Sequence, residues 1–191
     1  MPMNGKYVVG LDVGTTKICT VVGEITDEGI EIVGFGNHAS RGLRKGIVID
    51  MEATVESIKR SVEEAEEMID FTISSAVVGI AGTHISGVNS NGMITLRNRE
   101  VSERDVRRVI ESAKAISIPA DREVIHVMNQ EFIIDNQGGI LQPLGMHGTR
   151  FEVRVHVVTG AVSAVQNLIK CCNRAGVNVD DIVLQSIASA E

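Results

Sequence analysis

The chain has 191 residues, a formal net charge of −7 and an apolar fraction of 43%. Its length suits one large domain or two small ones, and its acidity argues against nucleic acid as a partner. No apolar run approaches the ~20 residues that span a bilayer, and the N-terminus lacks the apolar stretch of a signal peptide.

Trp is absent and aromatics are 3%, so Val, Ile, Leu and Ala must build the core. Cys19, Cys171 and Cys172 are odd in number and two are adjacent, which fits a reducing cytoplasm without a disulfide framework. His38, His84, His126, His147 and His156 are scattered, without metal-ligand spacing to the cysteines, and read as structural or surface residues.

In chain order, Tyr7 to Leu11 reads as a buried strand and Ile18 to Glu24 as a second. After the turn Asp27-Glu28-Gly29, Ile30 to Gly36 is a third, giving an antiparallel meander. The first connection, Asp12-Val13-Gly14-Thr15-Thr16-Lys17, suits a nucleotide phosphate tail and its metal. Gly14 lets backbone N–H groups approach phosphate oxygens. Thr15 and Thr16 can donate hydroxyl hydrogen bonds, and Lys17 adds a point charge. Asp12 would hold magnesium through water. Taken alone, the same residues also make a good hairpin turn.

A polar loop is expected over Asn37 to Gly46. Asp50 caps a helix whose apolar stripe is Val55, Ile58, Val62, Ala65 and Ile69, with Glu63, Glu64, Glu66 and Glu67 on the solvated face. Ala76 to Ala81 is a buried strand reached by a helical crossover, hence parallel to its neighbour.

Ile85 to Leu96 alternates around Asn91-Gly92, a hairpin signal. Ser102 caps a second helix with Val106, Val109, Ile110 and Ala113 along one side. Val124 to Asp135 is a strand, Gln137-Gly138-Gly139 opens an irregular loop, and Phe151 to Val158 is another strand. Ser163 to Ala175 is a helix closed by Gly176. Val179 to Leu184 is the last strand, and Ser186 to Glu191 begins a helix, as in a fragment of something longer.

The expected architecture is α/β: a ribonuclease-H-like, actin-like sheet with a small α+β unit inserted. The phosphate turn resembles that of the actin, Hsp70 and sugar-kinase superfamily. The insert resembles subdomain 1C of the FtsA family of bacterial cell-division proteins, a strand-helix-strand-strand unit of SHS2 type. The residues that carry the likeness are Val9 to Lys17, Ser40-Arg41-Gly42, Lys45-Gly46, Ile73-Ser74-Ser75, Gly82-Thr83-His84-Ile85-Ser86, His126-Val127, Gln130-Glu131, Val155 to Thr159 and Ile187-Ala188-Ser189.

The resemblance implies that residues 1–83 with 159–191 are actin-like subdomain 1A and 84–158 are subdomain 1C. It implies ATP and Mg2+ contacts at Asp12, Gly14, Thr15, Thr16 and Lys17, and a water-orienting Gln185 near the γ-phosphate. FtsA relatives tether the FtsZ ring to the inner face of the cell membrane at the division site, associate with themselves, and meet FtsN-like divisome proteins. The resemblance also implies that the second phosphate turn, the adenine pocket, and the FtsZ and membrane contacts lie beyond Glu191, so the fragment itself, with half a cleft, is expected to bind ATP poorly and to lack useful ATPase activity. Arg97, Arg99, Arg104, Arg107 and Arg108 form a candidate basic surface for a protein partner on the insert. The alternatives are a PilM-like pilus-assembly scaffold and a small-molecule kinase of the same superfamily.

Overall fold

A computed structural model describes residues 6–190, and Asn98 only in its backbone. The chain divides into two units, Met1–Ile85 with Ala161–Glu191, and Ser86–Gly160.

The first unit is built on a five-stranded sheet. Strands β1 (Tyr7–Val13), β2 (Lys17–Thr26) and β3 (Gly29–Ala39) form the antiparallel meander. Helix α1 (Met51–Glu66) crosses over to β6 (Ser75–Ile80), which runs parallel to β1. Helix α3 (Val162–Arg174) leads to β11 (Asn178–Leu184), parallel to β6, so the order is β11-β6-β1-β2-β3. Asp50 caps α1 by accepting from the Ala53 N–H at 3.1 Å. Ile69, expected on the helical stripe, lies past the end of α1.

Alternation decides which side chains are buried. Val9, Leu11, Val13, Ile18, Val22, Val78 and Ile80 face the core with Ile58, Val62, Leu168 and Cys172. Helix α1 approaches β3 so closely that a Cβ at Gly36 would stand 1.9 Å from the Ser61 carbonyl oxygen. In that contact Thr20 Oγ1 and Ser61 Oγ share a buried hydrogen bond of 2.8 Å.

The loop expected from Asn37 is shorter than its composition suggests. Strand β3 continues to Ala39. A two-rung hairpin, β4 (Leu43–Arg44) with β5 (Ile47–Val48), then folds around Lys45-Gly46. Lys45 and Gly46 both have left-handed backbone, φ 52 and 77.

The second unit has strands β7 (Ile85–Glu100), β8 (Arg122–Ile134), β9 (Gln137–Ile140) and β10 (His147–Ala161) in the order β7-β10-β8-β9, with helix α2 (Glu103–Lys114). Leu96, Val109, Phe132, Phe151, Val153 and Val155 form its core. The Phe132 and Phe151 rings stack at 5.5 Å.

Two turn readings are corrected here. Asn91-Gly92 is no hairpin: β7 runs unbroken through it. Gly92 is required because a Cβ there would stand 2.2 Å from the Val109 carbonyl oxygen and 2.6 Å from the Ala113 nitrogen of α2. The hairpin turn of the unit is Asp135-Asn136, with φ 47 and 74. Gln137-Gly138-Gly139 is therefore strand β9 paired with β8, not irregular loop.

Candidate functional site

The register of the first sheet gathers a row of residues on the face opposite the helices. Asp12 lies beside Cys19 of β2 and Gly79 of β6, and Gly79 lies beside Val183 of β11. In the next row Gly10 lies between Val21 and Val77. Two glycines in this patch leave a recess. The result is a cavity of about 340 Å³ lined by Gly10, Asp12, Cys19, Gly79, Val183 and Gln185 among others.

Asp12 ends the recess at the C-terminal end of β1, where it accepts a hydrogen bond from Gln185 Nε2. Burial pushes the Asp12 carboxyl above its ordinary value, while the Gln185 bond and the Lys17 charge pull it back. Gln185 follows β11 directly, opening the short helix α4 (Gln185–Ala188). Its parallel register with β6 carries it to the strand end that also holds Asp12.

Beyond Asp12 the chain turns. The Gly14 N–H donates to the Lys17 carbonyl at 3.1 Å, and a Cβ on Gly14 would come within 2.8 Å of that oxygen. The Thr16 carbonyl accepts from the Ser40 N–H at 3.0 Å. Thr15 Oγ1 accepts from the Gly46 N–H at 3.0 Å, which leaves its hydroxyl proton able to donate. A second cavity, about 310 Å³, opens against this turn and is lined by Gly14, Thr15, Lys45, Gly46, Ala81, Gly82, Thr83 and Gln185.

The sequence-predicted residues are thus divided. Gln185 lines both cavities, Asp12 the first, and Gly14 and Thr15 the second. Thr16 and Lys17 are exposed and line neither cavity. Sequence reasoning missed Lys45, Gly46, Gly79, Gly82 and Thr83 as lining residues. No local pattern marked them; tertiary register and turn contacts bring them to the cavities.

An open pocket of glycines, hydroxyls and a lysine suits a polyphosphate, since backbone N–H groups can approach its oxygens. Among the described residues, no three His, Cys, Asp or Glu side chains come together. A magnesium ion at Asp12 would therefore take its remaining ligands from water and phosphate, its usual habit.

The insert arginines are distributed differently from the expected patch. Arg99 donates through Nη1 and Nη2 to both carboxylate oxygens of Asp105, at 2.7 and 2.8 Å. Arg108 approaches the same carboxylate at 3.6 Å, and Arg107 approaches Glu103 at 3.7 Å. Arg97 and Arg104 are exposed and have no acidic partner among the described residues. Asp105 is 1% exposed. The Arg99 hydrogen bonds hold its carboxyl far below the usual carboxylate range.

Comparison with known proteins accounts for both units. Residues 82–159 match the SHS2 domain inserted in FtsA. Over its whole length the chain is similar to cell division protein FtsA of Pseudomonas aeruginosa, 52% identical over 98% of this chain and 45% of that protein. It is 49% identical to FtsA of Borreliella burgdorferi over 98% of this chain and 46% of that protein. Against FtsA of Escherichia coli K12 the identity is 38%, over 97% of this chain and 44% of that protein. The chain therefore spans less than half the length of these relatives.

Among solved structures, the PilM-PilN type IV pilus biogenesis complex matches with a TM-score of 0.62 at 16% identity, over 95% of this chain and 48% of that one. That likeness bears on the actin-like fold alone. With FtsA relatives matched end to end and the FtsA insert in place, the chain belongs to the FtsA family of cell division proteins and corresponds to an N-terminal piece of it.

Proposed function

We propose that this chain supplies one wall of the ATP cleft of an actin-like cell-division scaffold. In this reading Gly14, Thr15, Thr16 and Lys17 hold the phosphates, and Asp12 holds Mg2+ through water. Gln185 orients water near the γ-phosphate. The observation that carries it is the meeting of Gln185 and Asp12 where the two cavities adjoin, beside the glycine turn. The nucleotide acts more as a conformational ligand than as a substrate.

The scaffold would tether FtsZ to the inner face of the membrane at the division site through regions outside this chain. The insert would serve self-association and FtsN-like partners, with Arg97 and Arg104 unpaired with any acid among the described residues and Arg99, Arg107 and Arg108 committed within the unit. With only one wall of the cleft, residues 1–191 alone should bind ATP weakly and turn none over at a useful rate.

The test is recruitment of purified FtsZ to anionic liposomes by the full-length protein, with and without ATP, and with Asp12→Ala. ATP-dependent recruitment lost in the variant supports the whole reading. Recruitment indifferent to ATP and to Asp12 leaves the scaffold and removes the nucleotide site. Absence of recruitment removes the scaffold. The pilus reading has only the 16% likeness behind it, against 38–52% identity to FtsA relatives.

A further inference from the structure

The turn between β4 and β5 is placed with unusual firmness for so small a hairpin. Its Gly46 N–H donates to Thr15 Oγ1 at 3.0 Å, which ties it to the phosphate turn. Its Lys45 carbonyl accepts from the Thr83 N–H at 3.2 Å, which ties it to the segment after β6. A Cβ at Gly46 would stand 1.9 Å from the Ala81 carbonyl oxygen, and one at Gly82 would stand 2.5 Å from the Lys45 carbonyl oxygen. The turn is a wedge with no room to slide.

Lys45 sits at the first position of this two-residue turn with φ 52. Two-residue turns with both residues left-handed favour Asn, Asp or Gly there, because any other Cβ crowds the following carbonyl without a local side-chain hydrogen bond to offset it. Strain of this kind persists where surrounding structure enforces it, and it collects at ligand sites. Lys45 also lines the 310 Å³ cavity with Gly14, Thr15 and Gln185. No acidic partner pairs with it among the described residues. A lysine with no acidic partner among the described residues thus lines the cavity beside the phosphate turn, on a backbone that Gly or Asn would fit better.

We infer that Lys45 is a second phosphate-binding cation, directed at the outer phosphates of the nucleotide, and that Thr15 positions it by holding Gly46. This rests on the nucleotide reading above. It adds a charge from a segment that the phosphate-turn motif does not include.

The test is calorimetric binding of Mg-ATP and of AMP to the full-length protein, with Lys45→Asn, Lys45→Arg and Asp12→Ala. Asparagine tolerates left-handed backbone, so Lys45→Asn should melt no lower than the unaltered protein. It should lose ATP affinity about tenfold or more, as for a charged hydrogen bond, and keep AMP affinity within about twofold. Lys45→Arg should retain most of the ATP affinity. Unchanged ATP affinity in Lys45→Asn beside a weakened Asp12→Ala overturns the Lys45 assignment alone. Equal losses for ATP and AMP also overturn it, because an outer-phosphate contact cannot act on AMP. Absence of nucleotide binding in the unaltered protein overturns the nucleotide reading and this inference together.

Discussion

Gln185 donates a side-chain hydrogen bond to Asp12 across 173 positions of sequence. The contact joins the C-terminal end of β1 to the residue after β11, with only Gly79 of β6 between them in the sheet. Gly79 is small enough to leave the two side chains in van der Waals contact with its position, at 3.4 and 3.6 Å from where a Cβ would be.

The environment of Asp12 has a stability cost that its replacement should reveal. Burial raises its pKa, so the ionised form is the disfavoured one. The stability associated with this group is fully present below the unfolded carboxylate value of about 3.9 and is lost as pH rises through the folded value. Asp12→Asn should therefore flatten that part of the pH profile and leave the neutral-pH melting temperature unchanged or slightly raised. The same variant should weaken Mg-ATP binding about tenfold in the full-length protein, if Asp12 holds the metal as proposed above. Melting curves from acid to neutral pH, with calorimetry at neutral pH, check both.

Asp105 behaves in the opposite sense. It accepts from Arg99 twice and from the Ser102 N–H at 3.1 Å, closing a capping box at the start of α2. Its depressed pKa makes its stabilisation fully present above the ordinary carboxylate value and lost as pH falls toward the folded value. Asp105→Ala should cost the insert about 2–3 kcal/mol at neutral pH, from the lost capping box and the lost bidentate bonds to Arg99. The acid limb of its melting profile should shrink accordingly. Arg104→Ala, at an unpaired position one residue away, should change stability by less than about 0.5 kcal/mol.

Gly92 and Asn136 exchange the roles that their sequence contexts suggest. Gly92→Ala forces a Cβ against the α2 backbone and should destabilise the insert by about 2 kcal/mol or more. Asn136→Gly, at a residue with φ 74 in a true two-residue turn, should be neutral or gain up to about 0.5 kcal/mol. Denaturant midpoints of the two variants separate these expectations.

The cysteines give a chemical readout of the cavity beside Asp12. Cys172 is fully buried and its thiol is pushed up to about 12, so it should alkylate only on unfolding. Cys171 is equally buried, and burial raises it too. Cys19 is half-buried and lines the Asp12 cavity. A small alkylating reagent should modify Cys19 first, and Mg-ATP should slow that reaction in the full-length protein. Mass mapping of the labelled peptides reads both outcomes.

Much of the fold was legible because it rests on period and capping. The meander, the α1 cap at Asp50, the Ser102 cap and the glycine at Gly176 (φ 93) are local signals, and each lies where the sequence put it. Asn91-Gly92 misled because the same dipeptide that permits a turn also permits a helix to lie on a strand. Nothing local distinguishes the two, since α2 arrives from later in the chain. Asp12 and Gly14 were singled out by the residue types of the first turn, and Gln185 only by the family resemblance. Lys45, Gly46, Gly79 and Gly82 join the cavities only through tertiary register, which no local pattern encodes.

The insert Ser86–Gly160 is contiguous, whereas the unit around it is made of two separated stretches. Strand β6 leaves the ribosome long before its partner β11, with the whole insert synthesised between them. The insert is synthesised whole before β11, and the five-stranded sheet cannot close until β11 follows. The turn beside Asp12 is among the first parts of the protein to be synthesised, and it receives Gln185 only after the insert is complete. An unfinished chain therefore carries an Asp12 that still lacks its Gln185 partner, and translation order alone keeps this site incomplete until the sheet has closed.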